Sequence, residues 1–307
     1  MVYNQTLPPD LAAFRARLRS IEDVRDFREL TGGITNRNYY VDGALGRAVV
    51  RVSWPGSSML AIDREYEYLN SRAAAESGAA PAVLEYLAGQ GALVVRFVDG
   101  RTLTAADLQD PVMLSRVANA CKTLHSGPNF VNDFNMFRIQ QRYLADVREH
   151  GFRLPARYDD YEPAVRRIEA ALQVRDEGVV PCNNDLLPAN LIDDDGRIWI
   201  IDYEYSGNND ACFELGNIWS EATLPIDLLE PLVTAYYGRP RPSRVARARL
   251  LGLMSKYGWT LWASIQDAIS DIDFGFWDWG MEKYDRAESE FAHPDFDKWL
   301  EIATHDD

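Results

Sequence analysis

From Phe27 to Trp54 the chain reads FRELTGGITNRNYYVDGALGRAVVRVSW, three strand-like runs separated by turns at Gly32-Gly33 and Asp42-Gly43. The second turn, an Asp-Gly pair between strand-like runs, is a strong hairpin signal. After a short Gly/Ser turn, DREYEYLNSRAAAESG is a helix-forming run. ALVVRFVDGRTL then reads as a buried strand entering a turn at Asp99-Gly100. From Thr104 the pattern is mostly helical. TAAD offers a capping signal for a helix that ends near His125, and amphipathic segments follow around 134–150 and 161–174. One β-type interruption stands out: Leu191 and Ile192 lead into the acidic turn Asp193-Asp194-Asp195-Gly196, and Arg197 to Ile201 alternate back out. The pattern predicts an α+β chain, with a small antiparallel-sheet lobe over residues 1–98 and a larger helical lobe over 99–307.

That interruption carries the chemistry. Antiparallel pairing across it returns Asp202 to the neighbourhood of Asn190, five residues beyond Asp185. The spacing D-L-x-x-x-N matches the catalytic loop of protein kinases. Phosphoryl transfer needs an aligned nucleophile and metal ions that neutralise the nucleotide phosphates. Asp185 is read as the carboxylate that orients an acceptor hydroxyl and takes its proton. Asn190 and Asp202 are read as oxygen ligands for Mg²⁺, a hard cation held by few protein groups plus phosphates and water. These roles imply ATP and Mg²⁺ as cofactors. Asp193 to Asp195 are expected to be solvated turn residues. They do not form a calcium loop, because Leu191 stands at the first ligand position and the closing Glu is absent.

Three motifs, NDLLPAN (184–190), IDYEYSG (201–207) and ELGNIW (214–219), occur in this order and at close spacing. On them the chain resembles the choline/ethanolamine kinases, within the larger group similar to aminoglycoside phosphotransferases. The resemblance implies a two-lobed protein-kinase-like fold with the active site between the lobes. It departs from the family at one point, where Asn183 replaces the usual His before NDLLPAN. Asn can hydrogen-bond locally, so activity is expected to survive.

The resemblance also assigns the nucleotide side. Gly33, Thr35 and Asn36 match the phosphate loop, and Gly32-Gly33 permits close backbone approach. Arg51 stands where protein kinases carry the lysine that contacts the phosphates, and it can engage phosphate with two parallel bonds. Choline kinases commonly carry Arg there. Glu67 matches the glutamate that pairs with this cation, while Glu65 faces elsewhere on the helix. Arg96 to Val98 match the hinge, whose main-chain groups bind adenine.

KYGWTLWASIQDAISDIDFGFWDWG concentrates aromatic residues in the C-terminal third. Trp259 and Trp262 share a helix face, and a break near Asp273 to Gly275 lets Trp279 fold back beside them. Such a stripe is core in many proteins. Equally, several indole faces around one point attract a quaternary ammonium, by about 0.5 to 2 kcal/mol per ring. The three tryptophans match the family's choline-cage positions, whereas Ala222, Thr223 and Leu224 stand where some relatives offer a fourth aromatic. The expected reaction is ATP plus choline giving phosphocholine and ADP. A kinase for ethanolamine, thiamine or an aminoglycoside, and a weakened quaternary-ammonium-binding relative, are the alternatives.

Composition adds boundaries. With 307 residues and 47% apolar content, the chain can bury a sizeable core. A net charge of −15 argues against nucleic acid as a partner and is compatible with a small cationic alcohol. Cys121, Cys182 and Cys212 lack metal spacing and imply reduced thiols, and His125 is read as a structural histidine at a helix end. No transmembrane or targeting pattern is legible, so no membrane insertion and a cytoplasmic location are expected.

Overall fold

The computed structural model describes residues 7–30, 33, 35–53 and 59–307. Five antiparallel strands form the first sheet, in the order β1-β2-β3-β5-β4: β1 (Asp26–Leu30), β2 (Asn36–Gly43), β3 (Gly46–Ser53), β4 (Val83–Leu87) and β5 (Ala92–Arg96). Alternation sets its buried face. Tyr39 and Val41 on β2, Ala48 and Val50 on β3, and Ala92 and Val94 on β5 pack against Leu11, Leu18 and Ile21 from the preceding segment. Between β3 and β4 lies helix α2 (Arg64–Ser77), following the four-residue α1 (Pro9–Ala12) in chain order. Asp63 caps α2 by accepting the Glu65 and Tyr66 N–H groups, and Gly78 ends it in a left-handed conformation.

The rest is mainly helical: α3 (Pro111–His125), α4 (Met136–His150), α5 (Glu162–Gln173), α6 (Ala211–Glu221), α7 (Leu229–Tyr237), α8 (Pro242–Ile269), α9 (Phe276–Phe291) and α10 (Phe296–Ala303). Two small sheets interrupt it. One joins β6 (Arg101–Thr102) to the hairpin of β8 (Leu191–Asp193) and β9 (Ile198–Ile200), and the other pairs β7 (Val180–Cys182) with β10 (Gly207–Asn209). The axis of the helical region is α8, whose central residues are buried all round. Helix α6 crosses it so closely that a Cβ on Gly216 would stand 2.1 Å from the Ala248 carbonyl oxygen, so only glycine fits there. This crossing brings α6, which bonds the loop at 183–186, against the helix that carries Trp259 and Trp262. The larger hydrophobic cluster draws in Ala74 of α2, and Glu67 of α2 pairs with Arg51 of β3, so α2 is tied to both parts of the molecule.

Three local expectations change. The β2–β3 turn falls at Ala44-Leu45, not at Asp42-Gly43, because Asp42 stays in register opposite Arg47 and its carboxylate pairs with Arg25 at 2.5 Å. The TAAD signal produces only a 3-10 turn at 107–109, and α3 starts later, with Asp110 as its cap and Pro111 in the first turn. Of the turn aspartates, Asp195 is exposed as expected, but Asp193 is not solvated and Asp194 is half-buried. Asp193 is buried and takes both Arg116 nitrogens at 2.6 and 2.7 Å, and Asp194 accepts the Trp199 indole N–H at 2.7 Å. Gly32 and the Gly/Ser turn after β3 lie outside the described residues.

Arg116 holds the Asp193 carboxyl below the usual carboxylate range. Its stabilisation is therefore present above the ordinary aspartate value and lost as pH falls through the lowered one. Arg116→Ala is expected to cost about 1–2 kcal/mol at neutral pH and much less in acid. Urea melts at pH 7 and pH 3 that gave equal losses would contradict this.

Candidate active site

The hairpin folds as its spacing predicts. Leu191 pairs with Ile200, and the Ile201 N–H donates to the Asn190 carbonyl at 3.0 Å. Asp202 follows directly, in a left-handed conformation (φ 64°) that aspartate tolerates better than most residues. It lines one cleft together with Asp185 and Asn190. Asn190 donates its side-chain amide to the Asp185 carbonyl at 2.8 Å. Because a carbonyl can only accept, the Asn190 side-chain oxygen is turned away from that bond. Among the described residues, that oxygen and Asp202 Oδ2 have no partner. One amide oxygen and one carboxylate oxygen beside Asp185 are the hard donor set that suits Mg²⁺.

The Asp185 carboxylate likewise has no hydrogen-bond partner among the described residues. Burial, followed by the negative charges of Glu221 and Asp202, pushes it well above the usual carboxylate range; Lys283 opposes the shift and Glu204 adds to it. This environment suits a group that must take a proton.

Asn183 occupies the family's histidine position without breaking the architecture. Its side-chain amide donates to the Asp202 carbonyl at 2.6 Å, and its side-chain oxygen accepts the Asp185 N–H at 3.1 Å. One buried side chain thus ties the two acidic residues together. Below it, Glu214 of α6 accepts the Asn183 and Asn184 N–H groups at 2.8 Å each. Asn217 accepts the Leu186 N–H at 2.7 Å and donates to Ser255 of α8 at 2.9 Å. Sequence reasoning quoted the ELGN segment but gave these two side chains no role. His125 is structural, as expected: its Nδ1 lies 2.7 Å from the Tyr236 hydroxyl, away from the cleft. His125, Cys182 and Glu214 have potential ligand atoms within 4.8 Å of one another. Both Glu214 oxygens are already taken by backbone N–H groups, so the three read as the loop's buried support.

On the nucleotide side, Gly33, Thr35 and Asn36 line the cleft. A Cβ on Gly33 would stand 2.7 Å from the Asn36 carbonyl oxygen. Arg51 and Glu67 are paired, as expected, and lie behind the cleft wall. Arg51 also meets Asp202 at 2.8 Å and Glu204 at 3.4 Å. Arg64 bridges Glu67 at 2.7 Å and Glu204 at 2.8 Å, and Asn36 donates to Glu204. Burial works against the Arg51 charge, but Asp202, Glu67 and Glu204 together hold its pKa above the usual arginine value. Arg51 therefore couples the first sheet and α2 to Asp202. Glu204 and Arg64 are members of this network that sequence reasoning missed. At the expected hinge, the Arg96 and Phe97 N–H groups bond to Ala82 and Arg47, and Val98 is the first whose N–H makes no backbone bond among the described residues. The Arg96 side chain is exposed, outside the cleft.

The three tryptophans singled out for the acceptor, Trp259, Trp262 and Trp279, line the same cleft as Asp185. Trp279, folded back by the break after Ile269, stands 5.6 Å from Trp262, ring centre to ring centre. Trp259 is set apart by Tyr205, whose ring is 4.9 Å from it and whose hydroxyl accepts the Trp262 indole N–H at 2.7 Å. Tyr205 supplies the fourth aromatic that the segment after ELGN lacks. It was legible in IDYEYSG but was not singled out. Trp259 and Trp262 are nearly buried and Trp279 is half-buried. The cleft is open to solvent.

Against known proteins, residues 27–235 match the family model described as choline/ethanolamine kinase. The chain is 25% identical over 319 residues to probable choline kinase 2 of Arabidopsis thaliana, with 89% of each protein covered. It is 27% identical over 286 residues to ethanolamine kinase 2 of Mus musculus, covering 83% of this chain and 73% of that one. Among solved structures, a choline/ethanolamine kinase family protein from Mesorhizobium loti has the same fold, with a TM-score of 0.84, 27% identity, and 96% of this chain and 98% of the other covered. The two-lobed protein-kinase-like architecture and the motifs around Asp185 thus agree, and the chain belongs to the choline/ethanolamine kinase family, as an ATP-dependent phosphotransferase acting on a small molecule.

Proposed function

We propose that this kinase phosphorylates the hydroxyl of choline, giving phosphocholine and ADP. One observation carries the choice of acceptor: three indoles and Tyr205 line the same cleft as Asp185. A hydroxyl presented to Asp185 therefore has its cationic head among aromatic rings. The family match ends at residue 235, before these tryptophans, so acceptor choice rests on the site itself.

In the proposed reaction the acceptor oxygen attacks the γ-phosphorus, its proton passes to Asp185, and the bond to the ADP oxygen breaks. Asn190 and Asp202 would hold Mg²⁺, which supplies positive charge at the nucleotide phosphates. Gly33, Thr35 and Asn36 cover the phosphates, Arg51 and Glu67 hold that side of the cleft in register with Asp202, and the hinge at Arg96 to Val98 receives adenine through main-chain groups. Asn183 keeps Asp185 and Asp202 joined, which supports a working enzyme over a binding-only relative.

The test is ADP release with ATP, Mg²⁺ and a panel of choline, ethanolamine, thiamine and an aminoglycoside. Choline is expected to give the highest kcat/KM; preferred turnover of another member would reassign the acceptor. Trp279→Leu keeps apolar bulk but removes the ring face. It is expected to raise the choline KM by roughly 2- to 30-fold with the ATP KM unchanged. Equal shifts in both KM values would return Trp279 to a packing role.

A further inference from the structure

A cation already stands on Trp279. Lys283 lies one helical turn further along α9, with Nζ 4.0 Å from the centre of a Trp279 ring and 2.5 Å from Glu221 Oε2. Glu221 is the last residue of α6, so the pair joins α6 to α9 behind the acceptor wall. Both side chains are almost fully buried, at 3% and 2% exposure. The other Glu221 oxygen, Oε1, is buried with no partner among the described residues. Burying such a pair costs desolvation that an apolar side chain of similar volume would avoid. Packing alone therefore gives no reason for a lysine here.

Its position against the indole supplies one. An aromatic ring attracts cations through its quadrupole, and Trp279 both lines the cleft and holds the Lys283 ammonium. An acceptor with a cationic head thus meets a wall that contains one fixed positive charge and one fixed negative charge. We propose that Lys283 is a specificity-determining residue of the acceptor site: its ammonium, held by Glu221 over Trp279, sets how strongly the cleft prefers a charged head to an uncharged head of the same shape. This rests on the cationic-alcohol reading above. Lys283 opposes the incoming cation, Glu221 favours it, and their balance fixes the affinity.

The experiment compares choline with its uncharged carbon isostere, in which a tert-butyl group replaces trimethylammonium, in the parent enzyme and in Lys283→Met, Lys283→Arg, Glu221→Gln and the Lys283→Met/Glu221→Gln double variant. Removing the fixed positive charge is expected to lower the choline KM about threefold or more, and removing the negative charge to raise it similarly. The isostere KM should move less than about twofold in both. The double variant should return choline close to the parent value, and Lys283→Arg should match the parent. Melting curves identify any variant that fails to fold, and the double variant, which leaves no uncompensated charge, keeps the comparison intact. Choline and isostere shifting together, or neither shifting, would reduce Lys283 to a structural role and overturn the proposal. Absence of choline and ethanolamine turnover in the parent is a different outcome: it overturns the acceptor reading itself, before any variant is compared.

Discussion

Asp185→Asn is expected to lower kcat about a thousandfold or more while nucleotide affinity changes little, and to raise the melting temperature of the ligand-free protein. The loss follows from removing the group proposed to accept the hydroxyl proton; general-base contributions run to about 10⁴-fold. The gain follows from linkage. In the folded chain the Asp185 carboxyl binds its proton more tightly than in the unfolded chain, because burial and the charges of Glu221 and Asp202 oppose ionisation. Parent stability therefore falls as pH rises from the ordinary aspartate value toward the raised one, and asparagine removes that dependence. The advantage of the variant should be absent near pH 3 and grow toward neutrality. Steady-state kinetics, nucleotide calorimetry and melts across pH test each part. Retained turnover would remove Asp185 from its role, and a melting temperature below that of the parent at pH 7 would contradict the electrostatic account.

The second large effect is on stability. Glu214→Ala leaves the Asn183 and Asn184 N–H groups buried without acceptors, at about 1–3 kcal/mol each. Against a typical total of about 5–15 kcal/mol, the loss threatens the fold and displaces the loop that presents Asp185. Glu214→Gln keeps one oxygen but turns an NH₂ group toward a second N–H, so it should lie between alanine and the parent. Urea denaturation and kcat measured together check this. An alanine variant with parent stability and parent kcat would show that the loop is held by other contacts.

These two residues illustrate how far the chain could be read. Asp185, Asn190 and Asp202 were legible because their relationship is local: a five-residue spacing and a hairpin put them together. Glu214 stood in a quoted motif, yet its work is done on the backbone of Asn183 and Asn184, some thirty residues earlier in the chain, and no spacing rule encodes that. Tyr205 was likewise in view, but its role depends on the Trp262 indole N–H, brought to it by the packing of α8. The β2–β3 turn was misplaced for a similar reason, since register and the Arg25 side chain outweighed the local preference of Asp-Gly. Asp193 was misjudged because Arg116 reaches it from α3, an element that sequence pattern does not connect to the hairpin, whereas Asp195 is exposed as expected.

The sequence alone determined the α+β plan, the order of the lobes, the hairpin that gathers Asp185, Asn190 and Asp202, and the family, because periodicity and short motifs are properties of neighbouring residues. Only the tertiary structure decided what surrounds the chemistry: Arg51 shared among three carboxylates, Asn183 bridging the loop to Asp202, and Lys283 set on Trp279. Charges and indoles act through space over a few ångströms, and folding alone chooses which of them come within that range.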